Sequence, residues 1–149
     1  MQKLTTEQKR LKGTLQPCRT NDNEPTPQPG TPIMPKELSK SAKVYWPIVI
    51  GHLDTMGTLA VADQYAIAGL CSALGDMRDA RKQLVARGGA LTYMTVTGAW
   101  QAYPELILID KADKRILSWV TKLGLTPADR SKVSSLKDKP VDEDFGFLN

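Results

Sequence analysis

The sequence predicts a mainly α-helical protein with one short β-hairpin, and two observations support this. Between Glu37 and Gly124, apolar residues recur every three or four positions in three separate segments, which is the pattern of amphipathic helices. Between the second and third segments, a run of Thr, Val and aromatic residues is typical of strands. A chain of 149 residues suits one domain with terminal extensions. We therefore expect an extended basic and proline-rich arm at 1–36, a helical core at 37–124 with a hairpin near 91–102, and a short helix with a flexible tail at 125–149.

The N-terminal arm joins a basic stretch to a proline-rich one. Residues 1–19 carry five cations against one acid, Glu7, and such arms bind phosphate backbones with little sequence preference. Residues 21–35, NDNEPTPQPGTPIMP, contain five prolines, which lack the amide proton that helices and sheets need. A solvated linker explains the proline-rich part, whereas the cations of the arm are candidates for nucleic-acid binding: Lys3, Lys9, Arg10, Lys12 and Arg19.

The first helical segment is KELSKSAKVYWPIVIGHLDTMG, residues 36–57, and Gly57 is expected to end it. Pro47 lies inside the segment and predicts a kink or a break, because proline removes a helical hydrogen bond. Lys36, Lys40 and Lys43 are four and three residues apart, so they share one side if the helix begins that early. They form a second group of candidates. The expected apolar stripe is Leu38, Ala42, Tyr45, Val49 and Leu53.

The second segment, residues 60–89, predicts a long helix that Gly88 and Gly89 close. Its many alanines and glycines allow another helix to approach closely. Two short strands at 91–95 and 99–102 then predict the hairpin, which needs support from helices or from another subunit. The expected apolar face of the long helix is Ala62, Ala66, Leu70, Leu74, Met77, Leu84 and Val85.

Pro104 starts the third helix, and the stretch LGLTPADRSKV after it predicts a sharp stop and a new start. Gly124 suits the left-handed residue that closes a helix, Thr126 suits an N-cap, and Pro127 suits the first helical position. Arg130 and Lys132 in the new turn are candidates for contact with DNA or with an acidic partner surface. The apolar positions of the third helix are Leu106, Ile107, Leu108, Ile109, Ile116, Val120 and Leu123, and we expect Ile107, Leu108 and Trp119 to pack between subunits.

Catalytic and cofactor motifs are nearly absent from the sequence. The chain has one histidine and two cysteines without CxxC spacing, which excludes the usual Cys/His zinc sites within one chain. It has no P-loop, and the isolated DFG at 144–146 lacks the other kinase motifs. We expect no catalytic residues, no metal and no cofactor. There is also no apolar run of the roughly 20 residues that a membrane span needs, so we expect a cytoplasmic protein without a membrane partner.

The C-terminal sequence VDEDFGFLN places three acids before apolar side chains. Such ends are usually mobile, but this composition also suits a short peptide that becomes ordered on binding a protein. The candidate partner-binding residues are Phe145, Phe147 and Leu148.

The order of these motifs resembles the small subunit of the terminase of tailed double-stranded DNA bacteriophages. The resemblance runs from about Asn21 to Leu136. It rests on five segments in this order: the proline-rich NDNEPTPQPGTPIMP, then LSKSAKVYW, AVADQYAIAGLCSAL, YPEL and LGLTPADRSKV. Asp63, in the third segment, stands where the family pattern has an acidic residue. The sequence departs from the family pattern at Pro47, and at Ala60, where a capping Ser or Thr is expected.

The resemblance implies a ring-forming homo-oligomer that binds double-stranded viral DNA in the host cytoplasm during genome packaging. It also implies regulation of the large terminase subunit, which carries the ATPase and nuclease. The partner of the tail is then the large subunit or the portal. Two alternatives remain open from the residues themselves: a non-catalytic helical adaptor that binds only protein, and a nuclease whose site is assembled across subunits.

Overall fold

The computed structural model describes residues 12–13 and 27–130 of the chain. Lys12 is the described cation of the N-terminal arm. The predictions for the remaining arm cations, for Lys132 and for the acidic tail concern residues outside the described part of the chain. Within residues 27–130 the mainly helical fold with one antiparallel hairpin is confirmed. The elements are α1 (Lys40–Thr55), a 3-10 turn (Val61–Asp63), α2 (Gln64–Ala86), β1 (Thr92–Met94), β2 (Trp100–Ala102), α3 (Pro104–Lys122) and the short α4 (Pro127–Arg130).

Helix α1 begins later than the lysine spacing supposed and is not broken by its proline. The side chain of Ser39 caps the helix by accepting a hydrogen bond of 3.1 Å from the backbone N–H of Ala42. Lys36 therefore precedes α1, and only Lys40 and Lys43 of that group are on the helix. Pro47 lies on the exposed side, where water can satisfy the backbone carbonyl that proline leaves without a donor. Trp46 and Val49 are buried around it, so core packing continues across the proline.

Helix α2 lies against both α1 and α3 and begins without a side-chain cap. Ala60 occupies the N-cap position of the 3-10 turn and Asp63 that of α2, and neither side chain makes a capping hydrogen bond. The cap that a Ser or Thr at position 60 could supply is therefore missing. The end of the proline-rich segment lies beside this start, because the N–H of Val61 donates to the carbonyl of Gln28 at 3.1 Å.

The buried face of α2 differs in part from the expected one. Ile67, Leu70 and Cys71 are at most 2 % exposed, whereas Ala62 is exposed and Val85 is 72 % exposed. Val85 is exposed because the first turn of α1 lies beside Asp79 and Gly75, so the last turns of α2 extend past it. Ala62 lies in the 3-10 turn that precedes α2. Burial of Cys71 also raises the pKa of its thiol to about 11.

Two glycines let the helices approach closely, as the small residues of this segment predicted. A Cβ at Gly75 would lie 2.7 Å from the backbone nitrogen of Ala42 in α1. A Cβ at Gly69 would lie 2.7 Å from the indole ring of Trp119 in α3. Trp119 therefore packs within its own chain but stays partly exposed, and the expectation that it packs between subunits stays a prediction. Ile107 and Leu108 remain half exposed.

The hairpin extends from the end of the helical core. Its register pairs Thr92 with Ala102 and Met94 with Trp100. The ring of Tyr93 lies 5.0 Å from that of Tyr103, at the start of α3, and this contact anchors the base of the hairpin. Met94 and Trp100 are 58 % and 67 % exposed, so one face of the hairpin is apolar and uncovered by the described residues.

The end of α3 and the start of α4 have the predicted form. Gly124 has a φ of 67°, and the N–H of Leu125 donates to the carbonyl of Val120 at 2.9 Å, which is the Schellman arrangement. Thr126 then caps α4 by accepting a hydrogen bond of 3.2 Å from the N–H of Asp129. The local chemistry of this segment was sufficient to predict its structure.

Candidate nucleic-acid interface

Several cations of the helical core have partners within the core. Arg115 pairs with Asp76 across α3 and α2 at 2.8 Å, and Lys114 pairs with Asp110 along α3 at 2.7 Å. The ammonium group of Lys122 lies 4.7 Å from the ring centre of Trp119. These three basic residues of α3 therefore contribute to packing and to surface pairing.

Arg87 at the end of α2 has a more buried partner. Its Nε donates to Oε1 of Glu105 at 2.8 Å, and the Glu105 side chain is only 6 % exposed. The pKa of Glu105 is lowered, first by a hydrogen bond from its own backbone N–H and then by Arg87. This pair lies beside the Tyr93–Tyr103 contact, since Arg87 also lies over the ring of Tyr103 at 5.3 Å. It has a structural role, joining α2 to α3 below the hairpin.

The first turn of α1 carries two cations and no acid. Lys40 is exposed and Lys43 is half buried. Positive charge is unfavourable at a helix N-terminus, where the backbone dipoles already give a partial positive charge. The two lysines therefore concentrate positive potential at this end of the helix.

Helix α2 adds three more cations to the same end of the helix pair. The hydroxyl of Ser41 donates to Oδ1 of Asp79 at 2.5 Å, which holds the first turn of α1 against this part of α2. Within residues 27–130 none of the resulting five cations forms a salt bridge. We call this group the basic end; it consists of Lys40, Lys43, Arg78, Arg81 and Lys82.

A groove of about 470 Å³ opens between α1 and the second half of α2 at the basic end. Its apolar lining comes from Tyr45, Leu74, Met77 and Val85, and its cations are Arg78, Arg81 and Lys82. We call it the basic groove. The sequence analysis did not single out Arg78, Arg81 or Lys82 and so missed this surface. The i, i+3, i+4 spacing of positions 78, 81 and 82 was the available signal.

The other candidate residues are not brought together with the basic end. Lys36 is exposed in the loop before α1, Lys12 is exposed in its short turn, and Arg130 is exposed at the end of α4. Among the described residues, no side-chain hydrogen bond or ion pair joins them to Lys40 or Lys43. The remaining candidates lie outside the described residues: Lys3, Lys9, Arg10, Arg19, Lys132, Phe145, Phe147 and Leu148.

Two other kinds of site are absent from the part of the chain that the structure describes. It contains no group of three or more His, Cys, Asp or Glu side chains that could hold a metal ion. No helix among the same residues is both long and apolar enough to cross a membrane. The positive charge of the basic end suits anions.

Comparison with known proteins places the chain in a family. A family model described as phage terminase, small subunit, matches residues 42–140, about two-thirds of the 149 residues. The match includes nearly all of α1, and all of α2, the hairpin and α3. Searches of curated proteins and of solved structures gave no match. The chain belongs to the phage terminase small subunit family, whose members act in viral DNA packaging within the host cell and are generally non-catalytic.

Proposed function

We propose that this small terminase subunit binds the phosphate backbone of double-stranded viral DNA through its basic end and regulates the large subunit. The observation that carries the proposal is the set of five cations on two packed helices, which form no salt bridge within residues 27–130. Cations placed in this way contact phosphate oxygens, which position a protein on DNA without specifying a sequence.

The position of Lys40 and Lys43 strengthens the proposal. Both lysines oppose the dipole of α1, which costs a few tenths of a kcal/mol each in typical exposed helices. A bound phosphate at this end would reverse the sign of that interaction, because it would meet both the lysines and the free N–H groups of the first turn. The Ser39 cap satisfies one of these N–H groups and keeps the end ordered.

The arm and the residues near the basic end would extend this contact. Lys36 precedes α1 by four positions, and the arm supplies Lys3, Lys9, Arg10, Lys12 and Arg19. Cations on an arm of this kind add affinity by releasing counterions from DNA. Arg130, at the end of α4, and Lys132 are further candidates. Deleting residues 1–19 should weaken binding by a similar factor for every DNA sequence and flatten its salt dependence.

The basic end is tested by a double substitution, Lys40→Ala with Lys43→Ala. Each lost phosphate contact lowers the slope of log affinity against log salt by about 0.9, so we expect a slope reduced by about 2 and weaker binding. Lys111→Ala with Lys114→Ala is the matched control, since it removes the same charge from the exposed side of α3. Affinity should be measured by fluorescence anisotropy over a salt series.

Equal losses for the two pairs would mean that only net charge matters, and the basic end would lose its assignment. No DNA binding by the intact protein would favour the alternative of a helical adaptor that binds only protein. Cleavage of DNA by the purified protein with added divalent metal would favour the nuclease alternative.

The acidic tail is proposed to contact the large terminase subunit, with the portal as the second candidate. Phe145, Phe147 and Leu148 supply apolar anchors, and three acids make this end unsuited to DNA. A variant that ends at Pro140 should still bind DNA but lose stimulation of the large subunit's ATPase. Full stimulation by this variant would remove the tail from the regulatory contact.

A further inference from the structure

The basic groove has a two-part chemistry that the DNA contact leaves unexplained. A phosphate backbone binds to cations, but it gains nothing from contact with the apolar lining of the groove, which is formed by Tyr45, Leu74, Met77 and Val85. Val85 is 72 % exposed, so no described residue covers that end of the groove. Apolar surface next to cations is typical of a site for a peptide that carries both apolar and acidic side chains.

This chain contains such a peptide at its own C-terminus. Asp142, Glu143 and Asp144 are followed at once by Phe145, and then by Phe147 and Leu148. Three acids match the three cations of the groove, and three large apolar side chains match its apolar lining. We propose that the basic groove is the docking site of the segment 142–148 of the same chain.

The length of chain between the two partners allows this contact. Trp119 in α3 lies against Gly69, and Leu125, two residues before α4, packs against the core cluster that contains Leu70 of α2. The helix from Gly69 to Lys82 is roughly 20 Å long at 1.5 Å per residue. Residues 131–141 can span roughly 35 Å when extended. The tail of one chain can therefore reach its own groove, and the short linker keeps it there at a high effective concentration.

The docked tail would occupy the cations that the proposed DNA contact uses. Arg78, Arg81 and Lys82 would meet carboxylates in place of phosphates, so the tail and DNA would compete for the groove. This competition rests on the proposed function, whereas the docking itself does not. A large subunit that takes the tail would then expose the groove to DNA.

The test uses the full chain, alone and without DNA, with a photoreactive phenylalanine analogue in place of Phe147. After irradiation, mass spectrometry should find the cross-links in residues 74–85 and at Tyr45. The same analogue at Val96, in the exposed hairpin turn, is the control and should not reach these residues. Cross-links from position 147 that are absent from the groove, or lie mainly elsewhere, would overturn the proposal.

Charge reversal tests the electrostatic part of the contact. Arg78→Glu with Arg81→Glu should abolish most of the groove cross-link, and adding Asp142→Lys with Asp144→Lys should restore it. Neither arginine makes a side-chain hydrogen bond or ion pair among the described residues, and circular dichroism checks that each variant is folded. An undiminished cross-link in the arginine variant would contradict the proposal.

Mixing isotopically heavy and light protein separates the same chain from a second copy. Docking within one chain gives cross-linked peptides in which both parts are heavy or both are light. Mixed pairs would show that the occupant is the tail of a neighbouring subunit and would overturn the assignment to the same chain. Failure of DNA binding leaves each of these measurements unaffected, so the two proposals fail separately.

Discussion

At the scale of single residues, Gly75 determines how closely α1 approaches α2. A methyl group there would lie 2.7 Å from a backbone nitrogen of Ala42, and backbone cannot move as cheaply as a side-chain end. Gly75→Ala should therefore destabilise the protein by about 1–3 kcal/mol, although alanine is the better helix former. Denaturant unfolding followed by circular dichroism measures the change in free energy.

Gly51 provides the matched control for this substitution. It lies in α1, and a methyl group added there would have no described residue within 4 Å, so only helix propensity changes. Gly51→Ala should stabilise the protein by about 0.5–1 kcal/mol. Equal effects of the two substitutions would mean that the contact at Gly75 is looser than its geometry indicates.

Glu105 makes stability depend on pH. Its pKa is lowered in the folded protein, so its contribution is fully present above the unfolded value of about 4.3. That contribution is lost as the pH falls through the lower folded pKa. Glu105→Gln should lower the Tm at pH 7, and the difference from the parent protein should shrink below about pH 4. Thermal unfolding over a pH series checks this, with the exposed Asp110→Asn as a control that has little effect at any pH.

At the scale of secondary structure, Pro47 shows that core packing can hold a helix together through a residue that disfavours helix. The helix continues through it with Trp46, Val49 and Leu53 buried, yet the backbone bond that proline removes is still missing. Pro47→Ala restores a donor on the exposed side and should stabilise the protein by about 1–3 kcal/mol. A destabilising Pro47→Ala would show that the proline shapes α1 in a way its exposure hides.

Local chemistry explains why some elements were predictable from sequence and others were not. The end of α3 followed from Gly124, Thr126 and Pro127, whose effects act within a few residues. The sequence left the start of α1 open, and the structure sets it at Lys40 through the Ser39 cap, so Lys36 does not share a helix side with Lys40 and Lys43. The basic groove depends on Ser41 meeting Asp79, which is 38 residues away in sequence. The spacing of positions 78, 81 and 82 could indicate a shared cationic side of α2, but no periodic pattern in one helix reveals which part of another helix lies beside it, so the groove itself could not be predicted.

At the scale of the whole molecule, the uncovered apolar surfaces bear on assembly. Val44 and Ile48 are 49 % and 50 % exposed on the outer side of α1, next to Pro47 and Gly51. We expect a homo-oligomeric ring in which this side contacts a neighbouring subunit. Val44→Asp with Ile48→Asp should reduce the assembly mass measured by light scattering while the helix content stays the same.

Lys111→Asp with Lys114→Asp is the control for assembly, because it changes two exposed positions of α3 that are polar already. It should leave the mass unchanged. An intact parent protein that is monomeric at tens of micromolar, a concentration at which stable oligomers persist, would contradict the ring. Retained mass in the Val44 and Ile48 variant would move the contact to another surface, such as Met94 and Trp100 of the hairpin.

The buried thiol of Cys71 can report how fast the helices separate. Its thiol has no exposed surface and a pKa of about 11, so a thiol-specific dye at mildly alkaline pH reacts only when the core opens. In a Cys18→Ser background the labelling rate would report one event, the opening of the core around α2. Any ligand that bridges Lys40 and Lys82 would hold α1 and α2 together. Such a ligand should therefore lower the labelling rate of Cys71, although it binds at another part of the helix pair.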